Sequence, residues 1–500
     1  MSFEVRGLIE GFYGRPWSWQ ERERMVEFLD EQGYNLYVYA PKNDPLHRNR
    51  WQEPYLPEEM DRFAALARLC RRHGVEFAFG LSPLNFRYTE AGLEVVWRKL
   101  AAMHRRGIRG FALLVDDMPE RFHDPADGAL FPSLAAAQVW LANGVLERLE
   151  ALGGGGWLIF CPTEYCGEGV SDYLRTLGEG LRPEIDVFWT GPEVCSPELR
   201  VEDARRVGAT LKRPVLYWDN YPVNDEDMRF RPHIRPVRGR DPDLYTACRG
   251  IVANGSLQPE ATRIALHTYA QYFADPIGYE PEAAWQKALL AVTGNREDAE
   301  ALAVLGDLTR WSALERGRQL ENRLAPVLAR FWELWGGPPA SAGPDLPGVT
   351  PGAPATTAGV APGTPAAREA ALAEGMAEFS HLHAVARRLL DRMANRRLQA
   401  ELRPWAGKLE AWAEVGLLAL GVLQASLKSV EGARLAGLRN AVLDRLLAAR
   451  ENFHWVAGDM VDHFARRCLW AAGGPEREEL GPGAPDDPAE AAGRAGEGRL

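Results

Sequence analysis

Two carboxylates stand side by side at Asp116-Asp117, directly behind the apolar run Phe111-Ala112-Leu113-Leu114-Val115. A run this short, opened by Gly110, reads as a strand buried on both faces. Neighbouring side chains on a strand point to opposite faces, so both acids can serve one pocket only if the strand ends there. A pair of acids at the carboxyl end of a buried strand sits where α/β enzymes keep their chemistry. In an isolated Asp-Asp pair the commoner arrangement is that Asp117 caps a helix while Asp116 is solvated. The remaining polar residues decide between these readings.

Similar endings recur along the first half of the chain. Glu10-Gly11-Phe12-Tyr13-Gly14-Arg15-Pro16-Trp17 follows the apolar stretch Val5–Ile9, and Ala40-Pro41-Lys42-Asn43-Asp44 follows Asn35–Tyr39. Cys161-Pro162-Thr163-Glu164-Tyr165 follows Trp157–Phe160, Trp218-Asp219-Asn220 and then Asn224-Asp225 follow Val215–Tyr217, and Asn254-Gly255 follows Gly250–Ala253. Acids, amides, a lysine and aromatic rings gathered at one end of a sheet are the groups needed to hold a sugar. Hydroxyls need paired donors and acceptors, and the apolar face of a pyranose packs on Trp or Tyr. No loop resembles a phosphate cradle, and no His/Cys/Asp cluster has metal-ligand spacing, so neither a metal nor a cofactor is expected.

The elements that would position these residues can be enumerated. Glu76–Phe79, Phe111–Val115 and Asp186–Trp189 join the stretches above as candidate strands. Helical patterns lie near 18–32, 57–72, 90–105, 132–151, 171–180 and 202–209, with a short one near 243–248 and a last one at 259–273. Ser18 ahead of Trp19-Gln20-Glu21 is a capping-box pattern, and Pro57-Glu58-Glu59 suits a first turn. Eight strand-then-helix units fit an α/β fold of the closed (β/α)8 TIM-barrel type. An open dinucleotide-binding sheet fits less well, because no GxGxxG follows a strand.

Beyond the barrel, expected over 1–280, the texture changes to Ala, Leu, Arg and Trp at helical spacing. The first helices of an all-α helical bundle are expected over 281–335, a Pro/Gly/Ala-rich flexible linker over 336–367, the rest of the bundle over 368–473 and a disordered tail over 474–500. Leu382, Val385, Leu389 and Met393 form one ladder; Trp405, Leu409, Trp412, Gly416, Leu420, Leu423 and Leu427 form another, with Pro404 read as its first turn. Such stripes pack helices on one another and allow a homodimer through the helical region. With 46% hydrophobic and 25% charged residues, the 500-residue chain is of ordinary globular composition. Its net charge of -11 argues against nucleic acid or an anionic membrane as partner. Irregularly spaced cysteines, a polar N-terminus and the lack of any long apolar run point to the cytoplasm.

Seven segments, in order, carry a resemblance to a known family: GLIEGFYGRPW, YVYAPKNDPLHR, FALLVDDM, FCPTEYCG, FWTGPEV, YWDNYPVNDED, and VANGSLQPEA with ALHTYAQY. Together, over residues 4 to 275, they resemble glycoside hydrolase family 84, the β-N-acetylglucosaminidases that include protein O-GlcNAcase and bacterial homologues once called hyaluronidases. The resemblance implies a retaining hydrolase assisted by its own substrate. In the usual retaining enzyme two carboxyl groups about 5 Å apart face each other across the scissile bond, which neighbours on one strand do poorly. Here the sugar's acetamido oxygen would attack instead, through an oxazoline intermediate. By resemblance Asp116 accepts the acetamido N–H and steadies the developing charge. Asp117 protonates the leaving oxygen and then deprotonates water, and it is read as the carboxyl with the raised pKa.

The resemblance also implies substrate-binding roles for Gly11, Lys42, Asp116, Tyr165, Trp218, Asp219, Asn220, Asp225 and Asn254. Gly11 would let the backbone approach the sugar, Lys42 would donate to a hydroxyl, and Tyr165 would hydrogen-bond the reacting acetamide. Asn220 and Asp225 would hold the acetamide and the hydroxyls, with Trp218 and Asp219 in the same segment, and Asn254 would add an amide. Trp189 and Trp218 each read as either a pocket wall or plain core. The implied substrate is an N-acetylglucosamine-bearing glycoprotein or small glycan. One alternative is a hyaluronidase-like hydrolase of an extended polysaccharide, which the acidic charge disfavours for a polyanion. Another is a non-catalytic glycan-binding protein, for which a general acid would be superfluous.

Overall fold

The computed structural model describes residues 3–319, 321–337, 361–430 and 432–473. Eight parallel strands close into a barrel in sequence order: β1 (Val5–Glu10), β2 (Leu36–Tyr39), β3 (Glu76–Leu81), β4 (Gly110–Leu114), β5 (Trp157–Cys161), β6 (Asp186–Trp189), β7 (Val215–Pro222) and β8 (Cys248–Asn254). The ring closes where Val5 of β1 pairs with Gly250 of β8. The intervening helices are α1 (Trp19–Glu31), α2 (Pro57–Arg72), α3 (Glu90–Arg105), α4 (Leu134–Leu152), α5 (Asp172–Gly180), α6 (Val201–Leu211) and, after β8, α7 (Pro259–Ala274). Between β7 and β8 the expected short helix shrinks to 3-10 turns at Glu226–Phe230 and Leu244–Thr246.

Local chemistry starts these helices where expected. Ser18 and Glu21 form the reciprocal capping box, and the hydroxyls of Thr89, Ser133 and Ser171 each accept from a first-turn N–H. A cap of this kind contributes about 1 kcal/mol.

Inside the barrel the period of two is strict. Ile9, Leu36, Val38, Ala40, Ala78, Ala112, Leu114, Ile159, Cys161, Phe188, Leu216, Trp218 and Val252 make one buried cluster. Their strand neighbours point outward to the helices, and two of these are acids. Glu10 takes Arg22 through both carboxylate oxygens at 2.8 Å and accepts from Tyr37. Asp219 takes Arg240 Nε at 2.8 Å and the hydroxyl of Tyr269 at 2.7 Å. Trp189 also lies off the interior cluster, with Phe188 turned inward in its place, so Trp189 is core and no pocket wall.

Beyond the barrel the chain is helical: α8 (Pro281–Thr293), within which the boundary between the two units falls, then α9 (Arg296–Leu308), α10 (Leu324–Trp335), α11 (Pro365–Asp391), α12 (Arg396–Leu427), α13 (Ala433–Arg450) and α14 (Met460–Ala471). The chain divides into Met1–Glu226 with Pro236–Ala288, and Asp227–Arg235 with the residues from Leu289 onward. The excursion 227–235 is therefore grouped with the helices, although it lies between two barrel strands. Its Phe230 carbonyl accepts from Trp405 Nε1 at 2.7 Å and from the Trp455 N–H at 2.8 Å, and buried Arg235 pairs with Glu315.

Two expectations change here. Pro404 lies inside α12, which Asn395 caps well upstream, and Asn452 Nδ2 donates to the Pro404 carbonyl. Residues 365–367, assigned to the linker by composition, open α11 behind the Thr364 cap with Pro365 in the first turn. Most of the 336–367 segment and the whole of 474–500 lie outside the described residues. No helix among those described is long and apolar enough to cross a membrane.

Candidate active site

Following each strand's inward parity to its carboxyl end, or just past it, brings the polar residues to one mouth. Ile9 leads to Gly11, Ala40 to Lys42, Leu114 to Asp116, Trp218 to Asn220 and Val252 to Asn254. Asp116 is 5% exposed, and Lys42, also buried, donates Nζ to its Oδ2. Beyond Leu114 the chain stays tied to β5 for one more residue, since Val115 N–H donates to the Cys161 carbonyl and Thr163 Oγ1 to the Val115 carbonyl. It then turns.

Asp117 adopts φ 53°, the left-handed region that L-residues avoid, and this rotation returns its side chain to the pocket of Asp116. Its Oδ2 lies 3.8 Å from Lys42 Nζ. The Tyr165 hydroxyl donates to Oδ1 at 2.8 Å, and the Tyr13 hydroxyl donates to Oδ2 at 3.0 Å. Burial and the adjacent Asp117 charge raise the pKa of both tyrosines, which keeps them as donors.

The titration of Asp117 corrects the sequence reading. Burial pushes its pKa up, but Lys42, the Tyr165 and Tyr13 hydroxyls and Arg48 together outweigh burial, and the carboxyl is held below its ordinary 3.8. Two aspartates in one dry pocket need not repel each other when a lysine stands between them.

A relay of amides joins the ends of β1, β8 and β7. Gly11 N–H donates to Asn254 Oδ1 at 3.1 Å, Asn254 Nδ2 to Asn220 Oδ1 at 2.9 Å, and Asn220 Nδ2 to the Val194 carbonyl at 2.7 Å. Gly11 is needed for space: a Cβ there would stand 2.4 Å from Trp218 Cζ2. Trp218 forms the floor, with Lys42 Nζ 5.4 Å from its ring centroid. Asp116 Oδ1 and Trp218 Nε1 are buried without a hydrogen-bond partner among the described residues. Asp225, in the turn after β7, accepts the Tyr13 N–H at 2.7 Å. Burial, foremost, pushes its carboxyl up to about 6.

Of the substrate-binding residues implied by the resemblance, Asp219 alone is not brought to this mouth. At 1% exposure both its oxygens are committed to Arg240 and Tyr269, because odd parity on β7 turns it outward. Tyr13 and Arg48 were missed. Tyr13 shares the parity of Ile9 and Gly11, a signal that could have found it, whereas nothing in the sequence marks Arg48. The one metal-type grouping among the described residues, His383 with Glu410 and Glu414, belongs to the helical unit, where Arg387 and Arg445 already neutralise the two glutamates.

Comparison with known proteins agrees with this geometry. A family model described as beta-N-acetylglucosaminidase matches residues 6–307. Protein O-GlcNAcase of Rattus norvegicus and that of Mus musculus are each 38% identical over 275 residues, 53% of this chain and 30% of the relative. The chain thus spans under a third of the length of these curated relatives. An O-GlcNAc hydrolase mutant from Thermobaculum terrenum superposes with a TM-score of 0.77 at 31% identity, covering 94% of this chain and 97% of that one. A second solved structure, CpGH84B, gives 0.73 at 26% identity, over 93% and 77% of the two chains. With acids, lysine, amides and tryptophan at one barrel mouth and a family model spanning more than half its length, the chain belongs to glycoside hydrolase family 84, the β-N-acetylglucosaminidase family.

Proposed function

We propose that the protein is a retaining exo-β-N-acetylglucosaminidase in which the substrate's 2-acetamido oxygen is the nucleophile. The observation that carries this reading is the pairing of Asp116 and Asp117 at one strand end, with Lys42 on the first and two tyrosine hydroxyls on the second. Two acids so close together on one side of a pocket cannot flank a glycosidic bond, but they can divide the work. Asp116 Oδ1, buried and unpaired, is the acceptor for the acetamido N–H. Paired with Lys42, it stabilises the positive charge that develops as the oxazoline ring closes.

Asp117 carries the proton to the leaving oxygen and later takes one from water. A carboxyl held below 3.8 is a poor acid at neutral pH, so Asp117 must take up a proton from solvent as the substrate binds. As the acetamide engages Tyr165, the hydroxyl that stabilises the Asp117 anion is withdrawn, water is displaced, and the pKa rises toward the working range. Trp218 underlies the ring, and Asp225, Asn254 and Lys42 meet its hydroxyls.

The substrates proposed are N-acetylglucosamine-bearing proteins or small glycans, in keeping with the relatives named above. The proposed compartment is the cytoplasm, which the free state of all six cysteines supports. A homodimer through the helical unit is proposed from its exposed Leu447 and Trp470, and sedimentation over a concentration series tests it. The test of mechanism is hydrolysis of an aryl β-N-acetylglucosaminide beside its N-trifluoroacetyl analogue and the plain glucoside. Rates should fall steeply as fluorination weakens the acetamide oxygen, and the glucoside should be inert. Indifference to the 2-substituent would rule out the acetamide as nucleophile.

A further inference from the structure

Arg48 is a buried cation that the reading above does not use. It stands in the connection after β2, is 7% exposed, and among the described residues it forms no ion pair. Its hydrogen bonds go to neutral oxygens: Nη1 donates to Ser82 Oγ at 2.7 Å, and Nη2 to the backbone carbonyl of Asp117 at 3.1 Å. A guanidinium withdrawn from water without a carboxylate partner is costly, so its position calls for a reason.

The local structure shows what it holds. The neighbouring His47 carbonyl accepts the Ser82 N–H at 3.0 Å, and His47 Nδ1 hydrogen-bonds the Gly80 carbonyl at 2.9 Å. The root of the Arg48 side chain is therefore fixed to the end of β3, from which it reaches to the end of β4. There it meets Asp117 at φ 53°, a backbone conformation that an aspartate rarely adopts and that persists only when its surroundings impose it. A carbonyl turned inward by such a bend needs a donor, and Arg48 supplies it.

We propose that Arg48 is a positioning residue for the general acid: braced on Ser82, its fork holds the Asp117 carbonyl and so fixes the left-handed turn that aims the carboxyl beside Asp116. This rests on the reading of Asp117 as the acid. The charge acts in the same direction, since Arg48 joins Lys42 and the two tyrosines in opposing the effect of burial on Asp117. Lysine is no substitute, because a point charge cannot grip two oxygens in the geometry of a fork.

The test uses the full chain with Arg48→Met, Arg48→Lys, Ser82→Ala and Asp117→Asn, measuring kcat/KM on an alkyl β-N-acetylglucosaminide, whose leaving group needs protonation, and on a dinitrophenyl one, which does not. Arg48→Met should lose roughly a hundredfold on the alkyl substrate and far less on the activated one. Arg48→Lys should fall between Arg48→Met and the parent, and Ser82→Ala should show the same bias in smaller measure. The alkaline limb of the pH profile should move upward in Arg48→Met as a cation leaves the vicinity of the acid. Added to Asp117→Asn, Arg48→Met should do little more, because the group through which it acts is already disabled.

Equal losses on both substrates, or full additivity with Asp117→Asn, would overturn the proposal. Thermal unfolding registers any general damage, and if Arg48→Met fails to fold, Arg48→Lys and Ser82→Ala carry the same test. Should Asp117→Asn alone slow both substrates equally, the acid assignment itself fails. Should Asp117→Asn be selective and the Arg48 variants not, only the positioning inference falls.

Discussion

Asp225→Asn should make the protein more stable and a weaker binder of sugar, and the two effects can be separated by pH. The carboxyl titrates near 3.8 when unfolded and near 6 in the fold, chiefly because burial disfavours its charge. Between those values the folded chain holds the extra proton, so stability falls as pH rises through the window and the loss is complete above 6. A rise from 3.8 to about 6, at 1.36 kcal/mol per pH unit, sets an upper bound of about 3 kcal/mol. Solvent at the pocket mouth screens part of it, and about 1–2 kcal/mol is the working expectation. Asparagine removes the charge while its carbonyl can still accept the Tyr13 N–H that Asp225 Oδ2 accepts at 2.7 Å.

Calorimetry from pH 4 to 8 at constant ionic strength should therefore show no advantage for the variant near pH 4. A gap of about 1–3 °C in Tm should open by pH 7. On an aryl β-N-acetylglucosaminide the same substitution should raise KM more than it lowers kcat, the trade expected where a binding group is strained in the empty fold. A variant less stable at every pH, or a gap that ignores pH, would refute the electrostatic argument. An unchanged KM would remove Asp225 from the sugar site and leave that argument standing.

Other perturbations discriminate among the remaining roles. Asp117→Asn, which tolerates the left-handed turn, should cripple hydrolysis of alkyl glycosides by roughly 10²–10⁴-fold and spare activated aryl ones, as steady-state kinetics on the pair will show. Asp116→Asn should slow both kinds by a similar factor, about 10²-fold or more, since it weakens stabilisation of the acetamide's charge; a leaving-group bias would contradict that role. Gly11→Ala should displace Trp218, costing about 1–3 kcal/mol and raising KM, and quenching of tryptophan fluorescence by an inhibitor would report the shift. Asp219→Asn should cost about 3–5 kcal/mol by stranding Arg240, seen as a large drop in urea midpoint, while KM of the folded fraction stays near the parent's.

Much of this site can be read from strand arithmetic. Once Ile9, Ala40, Leu114, Trp218 and Val252 are taken as inward, counting two onward reaches Gly11, Lys42, Asp116, Asn220 and Asn254. The same count turns Asp219 outward, a deduction missed when Trp218-Asp219-Asn220 is taken as one segment. Asp117 breaks the count, because a left-handed φ is set by what surrounds the turn and an Asp-Asp pair does not announce it. Its depressed pKa depends on Lys42, Tyr165 and Tyr13, which lie far apart in the chain and meet only in the closed barrel. Arg48 and the interior position of Pro404 were equally hidden, since each depends on partners from distant elements.

The loop between β7 and β8 bears on how this protein can be inherited and taken apart. Because residues 227–235 leave the barrel's sequence to meet partners that follow as far downstream as Trp405 and Trp455, no single cut yields two self-sufficient pieces. A fragment ending at 288 would carry Phe230 and Arg235 without Trp405, Trp455 or Glu315 to receive them. Shuffling between homologues at that boundary would likewise need matched residues on both sides of the junction. Residues 227–235 should therefore be inherited together with the helices they pack against.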